Sequence, residues 1–265
     1  MSIKSKVLAA ATTLTLVGAV GLAGALTAST ASAATPSCGA DCINIFSHQF
    51  GTHHDPTDVV DVLRQGEKVG QPIILFRTAN FDPAEDWTLA FQGTTADFFA
   101  AGLVSSAVAL HYGCIPGAGG NFPDCYGQTT FSVNDPAFEI EYAPFGVDSG
   151  LCMGVAATAT SGEGVTLQPC GVSSKTVWIA DIFDSLSTLF NGYVPAINGS
   201  DTNFSQPFVL TYPSSGVPTD KPRPQLTVTN ITGFSETSPP FNIPGPELGT
   251  VDVNQLWGAD FGILN

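Results

Sequence analysis

From Cys152 to Trp178 the chain reads Cys152-Met153-Gly154-Val155, then Val165-Thr166-Leu167-Gln168-Pro169-Cys170-Gly171, then Thr176-Val177-Trp178. Two short apolar segments lie either side of a Gly-bearing turn, each carries one Cys, and a Trp follows. Such runs, bounded by Gly and Pro, read as paired strands. An isolated hairpin is marginal in water, so this unit needs further strands to cover its apolar face.

The rest of the chain supplies them. Beyond residue 33 helical periodicity is nearly absent. Runs rich in Val, Ile, Phe, Thr and Tyr recur at 73–76, 87–91, 107–112, 138–142, 165–168, 208–212 and 226–229, bounded by Gly, Pro, Asn and Asp. That is the pattern of an all-β domain. Residues 105–110 also suit a helical turn, and 181–189 a short helix inside an insertion.

Residues 1–33 have the layout of an export signal: Lys4 and Lys6, an apolar run, then Ala31-Ser32-Ala33 as a small-x-small cleavage site. The expected mature protein is secreted and has no membrane span of its own. Cleavage leaves six Lys and Arg against 23 Asp and Glu, a net charge near −17. A surface this acidic repels phosphate backbones, which argues against a nucleic-acid partner. All six cysteines lie beyond the signal. In an exported chain an even number reads as disulfides, and sequence proximity pairs Cys38 with Cys42, Cys114 with Cys125 and Cys152 with Cys170.

Internal repetition narrows the fold. Gln71-Pro72-Ile73, Asp135-Pro136-Ala137-Phe138 and Gln206-Pro207-Phe208 look like three openings. Second strands then begin near Trp87, Cys152 and Leu226, and third strands at 107–112 and 165–168. Fourth strands begin near Gln128, Lys175 and Asn254. A competing register aligns Phe99, Trp178 and Trp257. Either way three units of four strands make a β-trefoil, with a two-sheet β-sandwich as the alternative. The expected organisation is a signal at 1–33, a disulfide-containing segment at 34–70 and a trefoil-like domain at 71–265. Pro- and Gly-rich stretches at 213–224 and 232–250 read as long surface loops.

Cys152-Met153-Gly154-Val155, the Val165-Thr166-Leu167 strand before Cys170, Thr176-Val177-Trp178 and the final Gln255-Leu256-Trp257 resemble the units of ricin-type lectins. Those units carry Cys-Leu-Asp-Val, a Val-x-Leu strand ending in Cys, and Gln-x-Trp. The resemblance implies a trefoil and a sugar site at the Asp of Cys-Leu-Asp-Val. Here Gly154 stands at that position, and the alignment gives Leu89 and Val228 in the other units, none of which can bond a sugar hydroxyl. The closing Trp residues read as core packing. Separately, the segment from Val60 to Gly70 resembles the opening of plant Kunitz-type protease inhibitors, which share a strand, a polar Gly turn and a Gly before the first barrel strand.

No catalytic motif emerges. Asp148-Ser149-Gly150 echoes a protease nucleophile loop but lacks its flanking glycines and any upstream His-Cys, so it reads as a turn. His48, His53, His54 and Asp55 offer metal-ligand chemistry at a spacing unusual for it. Asp82, Glu85 and Asp86 before Trp87 are the best ligand-binding candidates: their carboxylates suit calcium or hydroxyl recognition, and the Trp could stack on a sugar. Three Asn-x-Ser/Thr sequons begin at Asn198, Asn203 and Asn230. The leading expectation is a non-catalytic, monomeric, cofactor-free binder of extracellular or cell-wall glycan. A trefoil protease inhibitor acting through the 213–224 loop is second, with another extracellular protein as partner, and a hydrolase is third.

Overall fold

A computed structural model describes residues 38, 42–52, 55–79, 82–112, 135–180, 193–204, 206–213, 223–232 and 251–261. Fourteen strands run through them. A two-residue pair, β2 (Gly51–Thr52) and β3 (Asp55–Pro56), stands apart. The other twelve fall into three sets of four. The first is β1 (Ile43–Ser47), β4 (Asp58–Val62), β5 (Ile73–Arg77) and β6 (Trp87–Thr94). The second is β7 (Pro136–Tyr142), β8 (Leu151–Val155), β9 (Glu163–Pro169) and β10 (Val177–Ala180). The third is β11 (Ala196–Asn198), β12 (Phe208–Thr211), β13 (Thr227–Asn230) and β14 (Trp257–Phe261).

Pairing repeats with the sets. Within each set the first strand pairs the second, and the second pairs the third. First and fourth strands close a ring in the order β1, β6, β7, β10, β11, β14 and back to β1. The β11–β14 junction is made by reciprocal bonds of 2.9 Å between Val194 and Trp257. The three second–third hairpins meet as a cap. Gly70 N–H donates to Leu167 O (2.8 Å), Val165 N–H to Leu226 O (2.7 Å), and Leu226 N–H to Ile73 O (2.8 Å). A six-stranded barrel under a three-hairpin cap is a β-trefoil, and the closed ring excludes the sandwich.

A Trp opens the fourth strand of the first and third units and is the second residue of β10 in the second. Trp87 Nε1 donates to Val60 O (2.9 Å), Trp178 Nε1 to Met153 O (2.9 Å), and Trp257 Nε1 to Leu210 O (2.7 Å). All three are buried in one core with Val62, Val155 and Tyr212. A buried indole needs an acceptor for its N–H, and the second strand of the same unit provides it.

Two sequence expectations are corrected here. The first unit opens at Ile43, so residues 43–62, expected as lead-in, form two of its strands, and Trp87 begins its fourth strand rather than its second. Residues 107–112 are not a third strand. They lie in α2 (Ser106–Tyr112), which follows α1 (Thr95–Ala100) in an insertion between units. The cause is local. Thr94 and Asp97 form a capping box, and Val108, Ala109 and Tyr112 bury one helical face. The third unit likewise opens at Ala196, not Gln206. The Val60–Gly70 turn joins β4 to β5 instead of leading into the first barrel strand.

Cys38–Cys42 and Cys152–Cys170 are disulfides, the latter stapling β8 to β9. Cys114, Cys125, the expected export signal, the 181–189 segment, and the stretches at 214–222 and 233–250 lie outside the described residues. Among those described, no helix is long and apolar enough to cross a membrane.

The indole bonds set a stability test. Trp178→Phe keeps one aromatic ring but removes the indole N–H and strands the buried Met153 carbonyl, so urea unfolding should show a loss of at least about 1–3 kcal/mol. An unchanged midpoint would mean that the indole bond contributes nothing.

Candidate functional site

Structural equivalence follows from the indole bonds. The residue after each acceptor carbonyl is Asp61, Gly154 or Thr211, and cross-strand register agrees: Asp61 faces Ile74, Gly154 faces Thr166, and Thr211 faces Thr227. The counterparts of Gly154 are therefore Asp61 and Thr211, not Leu89 and Val228. The first unit has an Asp at the position where the ricin-type pattern has one. Two residues before each Trp sits a second polar position, Glu85, Thr176 or Gln255. Each ends a 3-10 turn (Pro83–Glu85, Ser174–Thr176, Val253–Gln255) and each is buried.

The three units treat these paired positions differently. In the third, Gln255 Nε2 donates to Thr229 Oγ1 (3.0 Å) and Asn230 O (2.9 Å), and its Oε1 accepts from Thr232 N (2.8 Å). Thr211 Oγ1 shares a 2.8 Å bond with Thr229. That network is neutral and satisfied. In the second, the turn backbone fills the space: a Cβ on Gly154 would lie 2.6 Å from Lys175 O. Thr176 Oγ1 donates to Glu139 Oε1 at 2.5 Å.

In the first unit two carboxylates meet instead. Single oxygens of Asp61, Asp82 and Glu85 all lie within 4.8 Å of one another. Asp61 is 3% exposed and Glu85 6%. Glu85 Oε1 accepts from Ala79 N (2.9 Å). Asp82 Oδ1 caps the turn at Ala84 N (3.0 Å) and takes Gln65 Nε2 (3.0 Å). No hydrogen bond among the described residues holds the Asp61 carboxylate. Burial, then the neighbouring Asp82 charge, pushes Asp61 up to about 7, with Arg223 opposing. Burial pushes Glu85 up to about 8 against its Ala79 bond, with Asp82, Asp61 and Asp86 adding to the rise. Burial also raises Asp86, against its bond from Phe145.

Sequence reasoning singled out Asp82, Glu85, Asp86 and Trp87; the structure places Asp82 and Glu85 with Asp61, while the Asp86 carboxylate turns to the Phe145 N–H. Trp87 is corrected: it is fully buried with its N–H used internally, so it cannot stack on a ligand. Two residues were missed. Asp61 lay inside the supposed lead-in. Phe145, 43% exposed, gives its backbone N–H to Asp86 Oδ2 at 2.7 Å. Phe145 (φ 58°), Arg64 (φ 59°) and Gln65 (φ 55°) are the non-Gly left-handed residues among those described. Gln65 bonds Asp82 of the cluster, Phe145 bonds the neighbouring Asp86, and Arg64 precedes Gln65. Strain of this kind concentrates where a surface is held for use. Arg223 stacks on Phe76, 3.7 Å from the ring centroid.

The other candidates resolve more simply. His48 stacks on Tyr193 with centroids 4.1 Å apart. His53, His54 and the Asp55 side chain lie outside the description. Ser149 Oγ donates to Tyr142 O (2.5 Å), in keeping with a turn. Asn198 is fully buried and bonds Lys175 O, which closes that sequon to glycosylation in the folded chain.

No protein-family model matches the chain, and no curated protein does. Among solved structures it is similar to ThreeFoil, a designed three-fold symmetric protein, at 12% identity and TM-score 0.42 over 83% of this chain and 97% of that one. It is also similar to a mosquitocidal holotoxin (13%, TM-score 0.43, 84% of this chain, 17% of that one). A third is 1,3Gal43A, an exo-β-1,3-galactanase from Clostridium thermocellum (12%, TM-score 0.42, 83% and 30%). The chain thus spans under a third of the two natural proteins.

The acid pair predicts an unusual pH profile. Groups whose folded pKa is raised bind more protons folded than unfolded, so their contribution is most favourable below the ordinary carboxylate range and is lost as pH climbs through about 7 to 8. The groups facing them are Asp82, Asp86 and Arg223, with Glu67 and Tyr142 bordering the same charges. In a chelator the melting temperature should fall between pH 5 and 8 (a window set by these shifts), and Asp61→Asn should flatten the slope. An equal slope in both proteins would contradict the assignment.

Proposed function

We propose that the protein is a non-catalytic, exported glycan-binding trefoil whose binding site lies on its first unit. One observation carries this: of the three equivalent pairs of polar positions, the first alone among the described residues brings two buried carboxylates together, and Asp61 has no hydrogen-bond partner among the described residues. A protein that tolerates such groups does so where something outside the fold can engage them. Asp61, Asp82, Glu85 and Asp86 offer acceptors for sugar hydroxyls, and Phe145 offers an apolar face for a sugar ring. The ricin-type resemblance supports the same place, because Asp61 stands where that pattern has its hydroxyl-binding Asp. Export rests on the signal-like start and the two disulfides. Nothing on the described residues favours protease inhibition or hydrolysis over binding.

A glycan array followed by titration of the best ligand tests the proposal. Phe145→Ala and Asp61→Ala should each weaken binding at least about tenfold, near 1.4 kcal/mol, while Val172→Ala, exposed on another unit, should leave it intact. No binding to any glycan, or binding indifferent to both site changes, rejects it.

A further inference from the structure

We infer that the Cys38–Cys42 disulfide is a redox-sensitive clasp on the exposed turn that carries Phe145. The inference concerns the shape of that turn and stands whether or not the turn meets a sugar. The turn joins β7 to β8 around Pro144–Gly146. Gly146 N–H donates to Ala143 O (2.8 Å) and Val147 N–H to Pro144 O (3.2 Å). Phe145 (φ 58°) and Gly146 (φ 75°) are both left-handed. Glycine adopts that conformation freely, whereas a left-handed Phe is strained and persists only where its surroundings hold it. Two residues do so from outside the turn. Asp86 is one: its Oδ2 accepts the Phe145 N–H (2.7 Å), and its carbonyl accepts the Ala143 N–H (2.9 Å). Cys38 is the other. Its Sγ lies 3.7 Å from Ala143 O, and a Cβ on Gly146 would lie 2.7 Å from Cys38 O and 3.4 Å from Cys38 Cα. Cys38 therefore rests on the Gly146 backbone, in space that any side chain there would fill.

The disulfide is what keeps Cys38 in place. Among the described residues no backbone hydrogen bond holds Cys38. Its partner Cys42 is buried at the head of β1, where Ile43 pairs with Trp87. The cystine thus ties the second unit's turn to the first unit's opening strand. Cys152–Cys170 stands differently. It lies along the β8–β9 ladder from Leu151↔Pro169 to Val155↔Val165, extended by Cys170 N–H to Gly150 O (3.1 Å), so the backbone would hold its two thiols together after reduction. A link across a sequence separation of 4 also restrains the unfolded chain less than one across 18, which makes the effect of Cys38–Cys42 local. Cys38 is half-buried and Cys42 is 4% exposed, so a dithiol reductant meets the Cys38 sulfur first. Its thiolate attacks that sulfur, the S–S bond breaks, and Cys42 leaves as a thiolate that takes up a proton. The reductant's second thiol then displaces Cys38. Two electrons and two protons pass to the cystine, giving two thiols, and the dithiol becomes a disulfide. Cys38 is then free to leave Gly146, and Phe145 keeps only its support from Asp86.

Amide hydrogen exchange at Phe145 and Gly146, read by NMR beside thiol labelling mapped by mass spectrometry, tests the inference. At a dithiol concentration where Cys38 and Cys42 label but Cys152 and Cys170 do not, both amides should exchange at least about fivefold faster. The Val165 amide, bonded across the cap to Leu226 O, should keep its rate. Reoxidation should restore slow exchange. The double variant Cys38→Ser, Cys42→Ser leaves the other cysteines as they are, and it should exchange fast at Phe145 and Gly146 without any reductant. Protection of its Val165 amide checks that it folds; if that protection is lost, the reduced native protein decides. Exchange at Phe145 and Gly146 unchanged by reduction overturns the inference, as does labelling of Cys152 and Cys170 before Cys38 and Cys42. No glycan enters these readings, so their outcome is separate from that of the array.

Discussion

Three indole N–H groups, each bonded to a carbonyl on the second strand of its own unit, hold the trefoil in register. An indole buried in the common core cannot leave that donor unpaired, so each closing strand is fixed against one carbonyl. Two consequences follow directly. The residue after the carbonyl and the residue two before the Trp are brought together in every unit. Whatever side chains occupy those places must then satisfy each other, be satisfied by neighbours, or be engaged from outside.

Each unit reaches a different solution on the same backbone. Gln255 bridges the third unit as a neutral donor and acceptor, and Gly154 lets the second unit's turn close onto its strand. The first unit places Asp61 beside Glu85 and adds Asp82 at the mouth. Like charges at this spacing, poorly hydrated, resist joint ionisation. This local conflict contrasts with the agreement of pattern, packing and hydrogen bonding elsewhere, and such departures concentrate at functional surfaces. Phe145, left-handed and exposed, bonds Asp86 next to the same turn.

Much of the architecture was legible in the sequence because the second unit is compact and carries every signal: both cysteines, alternating strands, and Trp178 at short range. Trefoil class and the Cys152–Cys170 pairing follow from it. Register in the first unit was not legible. The helices at 95–112 lengthen the gap from Trp87 to Trp178 relative to that from Trp178 to Trp257, so Trp87 failed to stand out as a closing residue. The Val-rich run at 107–112 then passed for a strand. With that slip, Asp61 fell into a supposed lead-in, and Leu89 was set against Gly154. A buried polar residue two places before each Trp, as in Glu85-Asp86-Trp87, was the signal that would have restored the alignment. Phe145 had none, because exposure of one aromatic depends on packing between units.

Carbon-13 NMR of the side-chain carboxyls, followed across pH with Asp61 and Glu85 assigned by substitution, tests most directly whether the first unit holds a buried acid pair. The structure predicts that both carboxyls stay protonated well above the ordinary carboxylate range, titrating near pH 7 to 8. Titration of both groups below about pH 5 would contradict the account.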